Sequence, residues 1–125
     1  IIRGMCCLRP GVEGVSENIR VRSVVGRFLE HTRVYYFLNN GKDEIYAASA
    51  DLMERNLLNR VETAFPIENN KLKERMKSEL AIYMADNCQA WDLQQDGTYV
   101  RAHPADGEEP VLAQSILLAT LASAS

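Results

Sequence analysis

"TRVYYFLNNGKDEIYAAS", residues 32–49, reads as two strands around a turn. Thr32 to Leu38 concentrates β-branched and aromatic side chains, Asn39 to Glu44 supplies the Asn and Gly that tolerate a left-handed backbone, and "IYAAS" runs back. A hairpin here makes local antiparallel pairing the seed of the fold. It also sets His31, one of only two histidines in the chain, at the hairpin's entry.

Upstream of the hairpin, Ile19, Val21, Val24 and Val25 have the content of a short strand ended by Gly26. Before them, "IIRGMCCL" reads as a strand end and "RPGVEGVSEN" as a loop, because Pro10, Gly11 and Gly14 interrupt any regular period. Downstream, Ser49 or Asp51 is placed to cap a short helix through "LMERNLL". Val61, Thr63 and Phe65 then alternate as a fourth strand until Pro66. Leu72, Met76, Leu80, Tyr83 and Met84 recur at helical spacing between Asn70 and Asp86. Two short strands flank Asp96 and Gly97, and Pro110 opens a last helix with Leu112, Ile116 and Leu121 on one face. The expectation is an α/β fold, a mixed sheet flanked by helices, forming one domain over residues 1–125.

Composition narrows the function classes. At 125 residues, 46% hydrophobic and 25% charged, with a net charge of −3, the chain has no global charge excess directed at nucleic acid or a membrane surface. An anion site in it must be local. The apolar run Ile116 to Ala122 is far shorter than the roughly 20 residues that cross a bilayer, so no transmembrane segment is expected. Cys6, Cys7 and Cys88 match neither a disulfide framework nor a paired-cysteine metal site, which fits a reduced cytoplasmic compartment. Cys6 and Cys7 are expected to be small buried residues. Opening on Ile1 and Ile2 without Met or a basic leader, the sequence reads as a segment of a longer protein, with no signal or transit peptide.

Histidine exchanges protons or phosphoryl groups near neutral pH, because its neutral form leaves a ring nitrogen available. From the residues alone, a lone histidine at a strand start is more often a hydrogen-bonded structural residue, and phosphate chemistry is the minority reading of His31. Arg3, Arg33, Arg55 and Arg60 lie at predicted strand ends or the short helix, where guanidinium forks suit phosphate oxygens. Surface pairing with Glu30, Glu54 or Glu62 is the alternative. Ser49 and neighbouring amides form a turn able to receive an anion, or simply a helix cap. Lys71, Lys73, Arg75 and Lys77 diverge around a helix and read as a solvated face. His103 is assigned no role. No glycine-rich phosphate loop, metal-ligand spacing or serine nucleophile elbow is present.

"RGMCCLRPGVEGVSENIRVRSVVGRFLEHTRVYYF", "SADLMERNLLNRVETAFPI" and "DNCQAWDLQQDGTYVRAHPADGEEP" closely resemble the C-terminal domain of bacterial polyphosphate kinases of the long-chain synthesising type. The resemblance covers nearly the whole chain. It implies a phospholipase D-like half-domain, the second of two related halves that each bring one histidine motif to a shared phosphate site. In the phospholipase D motif, His-x-Lys is followed after four residues by Asp, and later by Gly-Ser. Here His31 and Arg33 take the first two places, Leu38 falls where Asp would stand, and Ala48 precedes Ser49.

The resemblance further implies that Arg3, His31 and Arg60 hold the phosphates of ATP, and that His31, Arg60 and Glu62 act in catalysis, with Arg33 and Ser49 supporting. The phosphorylated histidine and the ligands of a Mg2+ cofactor are expected outside this chain. The implied activity is reversible transfer of the ATP terminal phosphate onto inorganic polyphosphate through a phosphohistidine on the other half. The implied partners are ATP or ADP, polyphosphate and upstream domains of the same chain; a homo-oligomer and association with a membrane are compatible with it, and nucleic acid is not expected. Two other readings stay open: a phospholipase D-like phosphodiesterase, and a non-catalytic packing or oligomerisation module using the terminal helix and the Leu72 to Met84 stripe.

Overall fold

A computed structural model describes residues 1–4 and 6–123. Its elements are β1 (Arg22–Val24), β2 (Val34–Asn39), β3 (Lys42–Ala48), α1 (Glu54–Leu57), β4 (Ala64–Pro66), α2 (Asn70–Ala85), β5 (Ala90–Leu93), β6 (Tyr99–Arg101) and α3 (Ala113–Ser123). They form two compact units, one from Ile1–Leu29 with Glu79–Ser125 and the other from Glu30–Ser78. The α/β class is as expected from sequence, but the strands do not join one mixed sheet. They make two three-stranded antiparallel sheets, β1-β5-β6 and β2-β3-β4. Tight turns account for the β2–β3 and β5–β6 neighbours, whereas β1 meets β5 from far along the chain and β3 reaches β4 through the segment that carries α1.

In the Glu30–Ser78 unit, β2 and β3 pair from Val34↔Ala47 to Asn39↔Lys42 around a turn reduced to Asn40 and Gly41. Both have positive φ, 48° and 80°, the twist-compatible geometry of a two-residue hairpin loop. Central strand β3 carries Ile45, which is 1% exposed, and the ring of Phe37 meets Tyr46 edge-on at 6.3 Å along the diagonal of the ladder. Asn69 Oδ1 accepts the amides of Lys71 (2.9 Å) and Leu72 (3.3 Å), capping α2. The basic run is not uniformly solvated: Lys73 Nζ donates to the Asp43 carbonyl at 3.0 Å, and Lys77 pairs with the Asp43 carboxylate.

Helix α1 lacks the expected cap. Met53 occupies the N-cap position without a side-chain bond, while Asp51 binds Arg33 and Ser49 binds Glu62. Asp51 is engaged by a charge-assisted bond, and the acceptor side of Ser49 Oγ is taken by the Thr63 amide at 3.0 Å.

In the other unit, β5 is central and Val24, Ala90 and Ala113 form the buried core, with Ile82, Tyr83 and Ala102 against it. The side chain of Asp86, 1% exposed, organises three element ends. Its Oδ1 accepts the amides of Cys88 (3.0 Å), Gln89 (2.6 Å) and Ala90 (2.9 Å), and its Oδ2 accepts that of Ala113 at 2.8 Å. This places the start of α3 at Ala113, later than Pro110 suggests, because Asn87 also holds residues 109–111 through the Glu109 carbonyl (3.1 Å) and the Val111 amide (2.7 Å). Arg22 binds Asp92 bidentately across the β1–β5 register at 2.8 and 2.9 Å. Gln114 bonds both the amide (2.9 Å) and the carbonyl (2.8 Å) of Phe28, and a Cβ at Gly26 would lie 2.2 Å from its Oε1.

Two sequence expectations fail here. Ile1 and Ile2 form no strand, only the bond from the Ile2 amide to the Arg22 carbonyl at 2.8 Å. Cys7 is exposed and Cys6 half-buried, because the segment stays at the surface. Among the described residues, no helix is long and apolar enough to cross a membrane.

Replacing Asp86 by Ala strands four amides at once, and is expected to lower stability by about 3 kcal/mol or more. Asp86→Asn, which retains one acceptor, should lose less. Urea unfolding followed through Trp91, the single tryptophan, measures both, and an unshifted midpoint for Asp86→Ala would refute the assignment.

Candidate functional site

The hairpin positions the residues singled out in the Glu30–Ser78 unit. The β2–β3 ladder continues one bond below Val34, from the Ala48 amide to the Arg33 carbonyl at 3.0 Å. His31 lies two residues further on, exposed and outside regular structure. On the other side of β3, the Ser49 amide donates to the Thr63 carbonyl at 2.9 Å, and the Thr63 amide donates to Ser49 Oγ at 3.0 Å. Backbone pairing thus brings the segments around His31, Ser49 and Glu62 onto one end of one sheet.

Two polar clusters form there. In the first, Arg33 Nε donates to Asp51 Oδ1 at 2.8 Å and Arg33 Nη1 donates to the His31 carbonyl at 2.8 Å, with Arg55 Nη2 3.9 Å from Asp51 Oδ2. In the second, Glu62 accepts from Ser49 Oγ and from Asn56 Nδ2, the latter at 2.9 Å. Asn56 is 4% exposed, so its amide is a fixed donor.

Electrostatics follow this geometry. The Arg33 bond, then the charges of Arg33, Arg55 and His31, hold the Asp51 carboxyl below its ordinary 3.8. Glu62 lies below its ordinary 4.5, first through Ser49, then Asn56, with Arg60 and Arg33 adding positive charge. Arg33 is correspondingly raised, chiefly by its bond to Asp51. The result is an exposed cluster of histidine and arginine whose nearby carboxylates are already engaged, suited to polyanionic oxygens rather than to a cation.

His31, Arg33, Ser49, Arg60 and Glu62 therefore share one unit. Arg3 belongs to the other, where its Nη1 donates to the Phe28 carbonyl at 2.8 Å. That unit also holds a cavity of about 520 Å3 lined by Cys6, Cys7, Arg9, Gln94, Asp96 and Tyr99, which includes none of the expected phosphate residues. Sequence reasoning missed Asn56 and took Asp51 for a cap. A polar Asn inside "ERNLL", a poor choice for a helix interior, was the available signal. Among the described residues, no three histidine, cysteine or acidic side chains converge to hold a metal ion. With Asp51 and Glu62 engaged in hydrogen bonds, the residues here do not fit Mg2+.

The family model described as polyphosphate kinase C-terminal domain 2 matches residues 1–114. A polyphosphate kinase of Pseudomonas putida is 58% identical over 123 residues, 98% of this chain and 17% of that protein. One from Synechocystis is 58% identical over 119 residues, 95% of this chain and 16% of that protein. The crystal structure of polyphosphate kinase from Porphyromonas gingivalis superposes with a TM-score of 0.89 at 39% identity, covering 96% of this chain and 18% of that one. The chain thus spans less than a fifth of the length of these relatives.

Because the folded-state values of Asp51 and Glu62 are depressed, their stabilising bonds are complete above the ordinary values of 3.8 and 4.5 and are lost as pH falls through the lower folded-state values. The tyrosine near-ultraviolet signal of the Glu30–Ser78 unit should therefore weaken on acidification below that window. Glu62→Gln should flatten the dependence. An acid profile identical in the variant and the parent would show that Glu62 does not contribute.

Proposed function

This chain belongs to the polyphosphate kinase C-terminal domain 2 family, and we propose that it contributes one half of a phosphoryl-transfer site moving the terminal phosphate of ATP reversibly onto polyphosphate. The observation that carries the reading is the cluster at one end of the β2-β3-β4 sheet: His31 exposed, Arg33 bonded to its carbonyl, Arg60 near Glu62 in the same unit, and Asp51 and Glu62 held by hydrogen bonds.

Phosphoryl transfer passes through a loose transition state with charge spread over the phosphoryl oxygens, so catalysis is mainly positioning and electrostatic stabilisation. His31 grips the transferring group and donates a proton to the departing ADP oxygen. Arg60 neutralises phosphate charge. Arg3, which the resemblance also assigns to phosphate binding, belongs to the other unit, where its guanidinium donates to the Phe28 carbonyl. Glu62, fixed at both oxygens, keeps Arg60 and the surrounding cations in a set field.

In this scheme the bond from the terminal phosphorus to the ADP oxygen breaks as a bond to a histidine nitrogen on another part of the protein forms. Polyphosphate oxygen then attacks that phosphorus and releases the histidine. The nucleophile and the ligands of Mg2+ lie outside this chain, which is read as working with upstream domains of the same polypeptide in the cytoplasm.

In the full-length protein, His31→Ala should reduce polyphosphate synthesis and polymer-driven ATP formation at least about a hundredfold while folding is retained. Unchanged synthesis in a folded variant would refute the role. The 125-residue chain alone, incubated with radiolabelled ATP and Mg2+, should acquire no label, and stable phosphohistidine at His31 would contradict the division of labour.

A further inference from the structure

Arg33 stands where a phospholipase D-type motif has its lysine, but its guanidinium is directed along its own chain. Of its five N–H donors, one at Nε reaches Asp51 and one at Nη1 reaches the main-chain carbonyl of His31, both at 2.8 Å. The bond to His31 begins where the sheet stops, since the final β2–β3 bond is made by the Arg33 carbonyl and His31 has no place in the ladder. Nothing regular would otherwise fix that backbone. The planar guanidinium joins the two acceptors rigidly; its side chain is 26% exposed and that of Asp51 39%.

We propose that Asp51 and Arg33 form a positioning strut that sets the backbone of His31 for phosphoryl transfer, an inference that rests on the reading of His31 given above. Asp51 is not a helix cap in this arrangement. It orients Arg33, and Arg33 holds the peptide from which the reacting imidazole projects. Arg55, 3.9 Å from the other Asp51 oxygen, steadies the carboxylate. Lysine at position 33 would keep the charge but lose the fork, because one ammonium on a flexible stem cannot hold both acceptors in one plane.

The test uses the full-length protein with ATP and polyphosphate. Asp51→Asn and Arg33→Lys should each lower kcat about tenfold to a hundredfold, with the KM for ATP changed less than about threefold and the melting midpoint retained. The double variant should be no slower than the slower single variant, since both changes break one strut. Asp51→Glu should recover part of the rate, and serves as the measured variant if Asp51→Asn does not fold. Wild-type kcat in a folded single variant, or losses that multiply in the double, would overturn the strut. His31→Ala separates the two levels. Loss of synthesis there with wild-type kcat in Asp51→Asn refutes the strut alone, whereas full synthesis in His31→Ala refutes the reading of the site and the strut with it.

Discussion

A single buried carboxylate governs the larger unit. Asp86 closes the chain after α2, receives the first amides leading into β5 and accepts the first amide of α3. Each of those element ends would otherwise present unsatisfied donors in a nearly dry environment, where an unmade hydrogen bond costs more than a made one contributes. The apolar core beside it is small, Val24, Ala90 and Ala113, so packing alone has little power to decide where the helices begin. Arg22 reinforces the same corner by binding Asp92 while donating to the carbonyls of Met84 and Asp86.

The Glu30–Ser78 unit follows a similar logic with even less apolar burial. Ile45 and Ala50 are its only buried apolar residues among the described residues. Strand pairing and polar bonds carry the rest. Ser49 illustrates the economy: its amide, its hydroxyl and its neighbour's amide tie β3 to the segment before β4, and the same hydroxyl holds Glu62. Structure and site are therefore one set of contacts. Leu57, Leu58 and Val61 remain exposed on the α1 connection.

What could be read from sequence is what local physics encodes. A turn within Asn39 to Glu44 was legible because Asn and Gly tolerate left-handed backbone; that it narrows to Asn40 and Gly41, with β3 starting at Lys42, was not. Helix α2 was legible because its apolar spacing is periodic over four turns. The division into two sheets was not, since strand propensity carries no information about which strand is the partner. Asp86 and Gln114 were missed for a related reason. Asp86 reaches Ala113 across 27 positions, and Gln114 reaches Phe28 across 86. At the site, His31 and the arginines stood out by residue type, but the direction of each guanidinium did not. Family resemblance supplied candidate roles, whereas only geometry distinguishes an arginine facing its own backbone from one facing outward.

That distinction bears on why the motif departs from the phospholipase D pattern at two places together. A lysine acts as a mobile point charge and suits direct contact with a phosphate; an arginine bound by Asp51 is rigid and suits a structural bridge. Leu38, where the pattern has Asp, is 66% exposed on β2 and seven residues from His31, so it offers no carboxylate to the cluster. Asp51 brings negative charge back from the opposite side of the hairpin, but attached to Arg33 rather than to an incoming group. Read as the proposed half-site, this end of the sheet keeps an exposed histidine near cations and has no carboxylate at position 38. Under the proposed reading, that loss is the useful change. A phosphoryl group bound for polyphosphate must be shielded from water, and a second carboxylate free to activate water would divert it to hydrolysis.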